Sequence, residues 1–206
     1  VEMENRVTGW RWFVIGACLV LGIGGIASLI GHKSDFLIWF SGERCSFFDY
    51  LFYYITKAGE PFGFIIVGIL LFFSSWKKTF LIPFIGGVVT VVTYYLKMFF
   101  QHERPADFLK SIDWTGPTHV LDYQMLIGHT SFPSGHSMAA WALFTFTAAS
   151  MNNRWISIAS LLLASAVSLS RIYLMAHFLQ DVVVGGIVGV GIGYGFYRLY
   201  KIWEKK

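Results

Sequence analysis

Long apolar runs broken by short polar strings organise this chain. Hydropathy marks six candidate membrane spans, at about 10–30, 61–76, 79–100, 136–151, 155–172 and 179–200. Between the first two, Ser46-Phe47-Phe48-Asp49 has the form of a capping box and starts a short helix that should end near Gly59. Its Phe47, Phe48, Leu51, Phe52 and Tyr54, set among a few charges, suit the membrane interface. Pro61 then falls where a first-turn proline is tolerated, opening the second span. The expected fold is all-α, an integral membrane six-helix bundle with a short interfacial helix between the first two spans. No polar linker, repeat or low-complexity stretch divides the 206 residues, so a single domain over 1–206 is expected.

Composition strengthens the membrane reading. The chain is 55% hydrophobic and 14% charged, against about 25% charged in an ordinary soluble domain. The net charge of +4 does not point to nucleic acid, because the basic residues sit at span ends or in the polar strings. Cys18 falls inside a span and Cys45 in a loop, which argues against a disulfide and against redox or metal spacing. The first apolar run lacks a clear small-residue cleavage site and is read as a retained helix rather than a signal peptide.

Basic residues also orient the spans. One side collects nine of them: Arg6, Arg11, Lys77, Lys78, Arg154, Arg198, Lys201, Lys205 and Lys206. The other has four, Lys33, Arg44, Lys57 and Lys110, once those in the polar strings are set aside. The termini are therefore expected in the cytoplasm. Trp10, Trp12, Trp76, Trp155 and Trp203 would form a belt on that side, and all three polar strings fall at the opposite face.

Those strings are Lys97 with Arg104-Pro105, then Pro133-Ser134-Gly135-His136, then Ser170-Arg171 with His177 and Asp181. Lys97 alone would read as a snorkelling interface residue. If the third span continues far enough, Arg104 lies two turns on and shares its face, and two like charges there call for an anion. Ser134 suits an ordinary N-cap, yet the N–H groups of Gly135 and the following turn also make a helix start that attracts anions. His177 and Asp181 are four apart on a helix face, so the carboxylate can hold one imidazole nitrogen and leave the other to attack. The same pair could ligate a metal, but Lys97, Arg104 and Arg171 would repel a cation; no metal site and no cofactor is expected. Gly185, Gly189 and Gly193, with Gly186, Gly191 and Gly195, are read as close-packing positions in the last span.

In this order and spacing the strings resemble the signature of the type 2 phosphatidic acid phosphatase (PAP2) superfamily, whose membrane branch dephosphorylates lipid phosphates. The motifs cover Lys97 to Asp181, and the six-span pattern extends the likeness over nearly the whole chain. The resemblance implies that His177 is a nucleophile forming a phosphohistidine, that Asp181 orients it, and that His136 is the general acid. It implies a phosphate clamp of Lys97, Arg104 and Arg171, joined by Ser134 and Gly135. The expected activity is a metal-independent lipid phosphatase acting on a monoester or diphosphate such as undecaprenyl diphosphate, phosphatidylglycerophosphate, phosphatidic acid or a lipid A phosphate. Its partners would be that phosphorylated lipid and the surrounding membrane lipids. The expected location is a bacterial inner membrane, with the site on the periplasmic face. The alternatives are a lipid phosphotransferase using the same site, or a transporter of phosphorylated solutes, which lacks support because no paired broken helices are visible. The sequence names neither the lipid nor the oligomeric state; the loop 106–132 and the first extracytoplasmic segment are the expected places of substrate choice.

Overall fold

The computed structural model describes residues 9–116 and 126–205. Among these, nine α-helices and no strands are found: α1 (Trp10–Ile30), α2 (Asp35–Gly42), α3 (Ser46–Ile55), α4 (Pro61–Phe72), α5 (Trp76–Phe100), α6 (Pro105–Ser111), α7 (Gly135–Met151), α8 (Arg154–Tyr173) and α9 (Leu179–Glu204). A single 3₁₀ turn, Thr56–Gly59, joins α3 to α4. Arg6, Lys206 and the stretch 117–125 of the expected substrate loop lie outside the described residues.

Helix α7 is the axis of the bundle. Every residue from Ser137 to Ala149 is buried, which suits a helix apolar on all sides and rich in alanine. It packs most extensively on α9 and then on α8, with α5 and α1 completing the surround. The glycines of α9 explain the first of these contacts. A Cβ at Gly185 would lie 2.6 Å from the Ser134 carbonyl, and one at Gly189 or Gly193 would run into the Met138 or Ala142 carbonyl. Gly186 is close-packed as well, against Leu21 and Trp141, whereas Gly191 and Gly195 face open space.

The surface is inverted relative to a soluble protein. Leu29 is 86% exposed, Phe73 83% and Phe99 80%, while Arg171, His177 and Asp181 are buried. Four helices, α1, α8, α9 and the α5–α6 stretch, are long and apolar enough to cross a membrane. The bent pair of Ser46–Gly59 with Pro61–Phe72, turned by 63°, makes a fifth if counted as one span. The six expected spans meet a limit at two places. Helix α4 stops at Phe72 rather than near 76, and α7 has 17 residues, both below the length of a free-standing span.

Three local expectations are corrected. Ser46 is the first helical residue of α3 rather than its cap; Cys45 is the cap and makes no side-chain cap bond. Asp49 is instead used by Tyr173, whose hydroxyl donates to it at 2.6 Å. The third span ends at Phe100, because Gln101 turns into the left-handed region, so Lys97 and Arg104 do not share a helix face. Arg104 is extended before Pro105, as a pre-proline residue should be. Pro105 nevertheless opens a new short helix, α6, and α2 was likewise unforeseen. Both pack at the motif end of the bundle, where Leu37 of α2 and Leu109 of α6 join Ile172, Met175, Phe178 and Val182 in a small second core. The opposite end carries the tryptophans: Trp76 meets Trp203 edge-on at 5.3 Å, and the Arg154 guanidinium lies 5.3 Å over Trp12 and 5.0 Å over Trp155.

Candidate active site

The end of α5, the starts of α7 and α9, and the end of α8 meet at one end of the bundle. Four backbone features bring the polar strings together there. Gln101 ends α5 in a left-handed turn. Ser134 caps α7 by accepting from the Ser137 N–H at 3.4 Å. The Ser134 N–H donates to the Asp181 carbonyl at 2.9 Å, tying the second string to the third. Met175, with φ 52°, reverses the chain after α8, and the N–H groups of Ala176 and His177 both donate back to the Arg171 carbonyl. A buried methionine in that region is strained, and the small second core around it holds the turn in place.

His177 is 2% exposed and Asp181 fully buried. His177 Nδ1 lies 3.4 Å from Asp181 Oδ2. The same oxygen accepts from the Phe178 N–H at 3.1 Å and from Ser131 Oγ at 2.5 Å. One carboxylate oxygen is thereby held by three groups, which sets its direction before any substrate arrives. Burial pushes the His177 imidazole down to about 3, against an opposing pull from Asp181; Arg171 and Lys97 add to the depression. A neutral imidazole with one nitrogen turned to a carboxylate leaves the other nitrogen as a nucleophile.

The expected cations are held by neutral partners. Arg104 donates through Nε and Nη2 to Thr130 Oγ1, through Nη2 to the Thr130 carbonyl, and through Nη1 to the Ala176 carbonyl beside His177. Arg171 Nη1 donates to Thr56 Oγ1 at 2.6 Å. Lys97, in the last turn of α5, lies near enough to Arg104, Arg171 and Asp181 for their charges to act on it. Gly135 starts α7 with Thr93 Cγ2 only 3.2 Å from where a Cβ would stand, so a side chain there would crowd the helix start. Its N–H and that of His136 belong to the first turn, where intrahelical partners are lacking.

His136 faces another way. Its Nε2 lies 3.3 Å from Glu60 Oε1 at the N-cap of α4, and both side chains are about one-third exposed, 33% and 38%. Beside them opens a groove of about 920 Å³ between α4 and α5. It runs past Phe64, Gly68 and Pro83 to Phe72 and Phe73, at the far end of the pair, and at the motif end its wall is Glu60, Gly135 and His136. Among the described residues, no three His, Cys, Asp or Glu side chains group as metal ligands.

All eight residues singled out from sequence therefore lie at one end of the bundle, with His177 and Asp181 in direct contact. Sequence reasoning missed Ser131, Thr130, Thr56 and Glu60. Glu60 had a readable signal, as the only carboxylate between Asp49 and Glu103, placed at the mouth of a span. The three hydroxyl residues carried none, since each acts on a partner distant in sequence.

The site thus gathers a carboxylate-held histidine, a second histidine and three cations at one end of a helical bundle with an apolar surface. Comparison with known proteins makes this specific. The chain belongs to the PAP2 superfamily, whose sequence model matches residues 78–205. It is 27% identical over 157 residues to a lipid A 4'-phosphatase of Porphyromonas gingivalis, covering 72% of this chain and 65% of that protein. It thus spans slightly less than two thirds of that relative. It is also 27% identical over 180 residues to the lipid A 4'-phosphatase of Bacteroides thetaiotaomicron (84% of this chain, 77% of the relative). An undecaprenyl-diphosphatase of Sulfolobus acidocaldarius is 24% identical over 194 residues, or 90% of this chain and 88% of the relative. The crystal structure of LpxE from Aquifex aeolicus superposes with a TM-score of 0.62 at 25% identity, over 79% of this chain and 92% of that one. A transmembrane phosphatidylglycerolphosphate phosphatase from Bacillus subtilis shares the fold, with a TM-score of 0.58 at 23% identity over 98% and 97% of the two chains.

Proposed function

We propose that this protein is a membrane lipid phosphatase that releases phosphate from a phosphorylated lipid through a phosphohistidine on His177. The observation that carries the reading is the α4–α5 groove. An apolar slot open along the bundle ends at His136 and Gly135, so a lipid tail lying in it presents its head group to the polar strings. A soluble phosphate ester would have no use for a slot of this length. The candidate lipids are those named for the relatives, a lipid A phosphate and undecaprenyl diphosphate among them.

In this reading the free nitrogen of His177 attacks phosphorus while the bond to the lipid oxygen breaks. Lys97, Arg104, Arg171 and the N–H groups of Gly135 and His136 hold the equatorial oxygens, where the charge of the transition state is spread. His136 gives its proton to the departing oxygen, a contribution of roughly 10²–10⁴-fold. Water then attacks the phosphohistidine, His136 recovers a proton from it, and inorganic phosphate leaves. Asp181 keeps the His177 tautomer fixed throughout. No metal takes part, because three cations already occupy the positions where a metal would neutralise phosphate charge.

The topology proposed with this function has six crossings, by α1, α4, α5, α7, α8 and α9, with cytoplasmic termini and an extracytoplasmic site. Helix α7 can be short because protein rather than lipid surrounds it. Helix α3 lies in the interface, with Phe47 and Tyr54 outward. The test is phosphate release from a panel of purified lipid phosphates in EDTA, with His177→Ala as control. Release by the wild type and none by the variant is expected; equal release by both would overturn the reading.

A further inference from the structure

Glu60 is unexplained by the phosphatase reading alone. Its side chain makes no capping bond to α4, although it occupies the N-cap. It is the sole carboxylate in the wall of the groove, and its Oε1 lies 3.3 Å from His136 Nε2. Besides His136, the wall near it is formed by Gly59, Pro61, Phe64, Gly135 and the hydroxyl-bearing Thr93, none of them charged.

If His136 protonates the departing oxygen, the leaving group must come to His136 from the groove, and so passes beside Glu60. Lys97 and Arg171 act on His136 through space, but neither is in the groove wall, where Glu60 is the carboxylate a leaving group meets. Arg104 is bound to Thr130 and to the Ala176 carbonyl beside His177, and Arg171 to Thr56, and neither guanidinium lines the groove. A neutral alcohol or sugar leaving group meets no charge opposition, and its hydroxyls can donate to the carboxylate. A leaving phosphate brings a second anion against Glu60 in surroundings of low dielectric, where like charges repel strongly.

We propose that Glu60 is a specificity-determining residue that makes the site prefer phosphate monoesters of neutral alcohols over lipid diphosphates. The proposal rests on the phosphatase reading and on His136 facing the leaving group. It divides the activities named for the relatives, placing this chain with the monoester phosphatases.

The test compares kcat/KM for a polyprenyl monophosphate and the diphosphate of the same tail, using the full-length protein in detergent. The proteins compared are the wild type, Glu60→Gln, Glu60→Ser and Glu60→Asp. The wild type should favour the monophosphate by tenfold or more. Glu60→Gln and Glu60→Ser should narrow that ratio at least tenfold, mainly through faster diphosphate turnover, while Glu60→Asp preserves it. A structural role would slow both substrates together and leave the ratio unmoved. A ratio unchanged in both charge-free variants, with release intact, overturns the role of Glu60 and spares the phosphatase reading. No release of phosphate from either lipid by the wild type overturns that reading and the proposal with it.

Discussion

Ser131 Oγ donates to the same Asp181 oxygen that faces His177, at 2.5 Å, and lies 3.5 Å from His177 Nδ1 itself. The two residues are fifty positions apart, and their bond joins the loop before α7 to the first turn of α9. The carboxylate that orients the candidate nucleophile is thus itself oriented by a hydroxyl from another segment.

Removing that hydroxyl should therefore act on catalysis rather than on binding. Ser131→Ala is expected to lower kcat about tenfold, equivalent to about 1.4 kcal/mol, with KM within about twofold of wild type. Steady-state kinetics on one lipid phosphate decide it. An effect confined to KM would mean that Ser131 contacts substrate instead.

Asp181→Asn keeps the shape of the side chain but offers an amide to a buried imidazole. It should cost roughly 10²-fold in kcat or more, since the wrong His177 nitrogen can then carry the proton. Circular dichroism should be unchanged. Full activity in the variant would remove Asp181 from its positioning role.

The glycine stripe gives a stability prediction. Gly189→Ala drives a methyl into the Met138 carbonyl and should destabilise the protein by about 1–3 kcal/mol. Gly191→Ala faces open space and should be neutral or slightly stabilising, because alanine is the better helix former. Thermal unfolding of both in the same detergent separates close packing from general sensitivity of α9. Equal shifts in the two variants would count against it.

His177 gives a pH prediction whose sign follows from burial. Its folded value is lowered to about 3 from the ordinary 6.5. As pH falls below 6.5, the unfolded chain takes up a proton there that the folded one refuses. Folding stability is then lost at up to about 1.4 kcal/mol per pH unit, down to about pH 3. His177→Gln lacks this group, so the wild type should lose melting temperature relative to it between pH 7 and pH 4. The converse would mean that the buried imidazole is protonated. In kinetics, protonation of His177 should not limit the rate until well below pH 6.5.

Much of the site was legible because its chemistry is local. Pro133-Ser134-Gly135-His136 delivers the start of α7 as read, and His177 does meet Asp181, although His177 lies in the turn before α9 rather than on its helical face. The relation of Lys97 to Arg104 was not legible, since one left-handed residue, Gln101, breaks the helix between them and nothing in its side chain demands that. Helices α2 and α6 escaped because seven or eight residues carry too little periodicity to stand out, and tertiary contact with the His177 turn stabilises them. Thr56, Thr130 and Ser131 were invisible for a related reason. A hydroxyl beside a span has no intrinsic direction, and its partner is set by how distant segments pack. The outward apolar faces and the glycine stripe were readable, because lipid and close packing each select residue type directly.

The central claim is a covalent phosphoryl group on His177. The direct measurement is base quench of the protein within milliseconds of mixing with radiolabelled lipid phosphate, followed by digestion and mapping of the label. A base-stable, acid-labile phosphohistidine at His177, absent in His177→Ala and accumulating when the pH disfavours its hydrolysis, is the predicted result. Phosphate release at full rate by His177→Ala, or label mapped to another side chain, would contradict it.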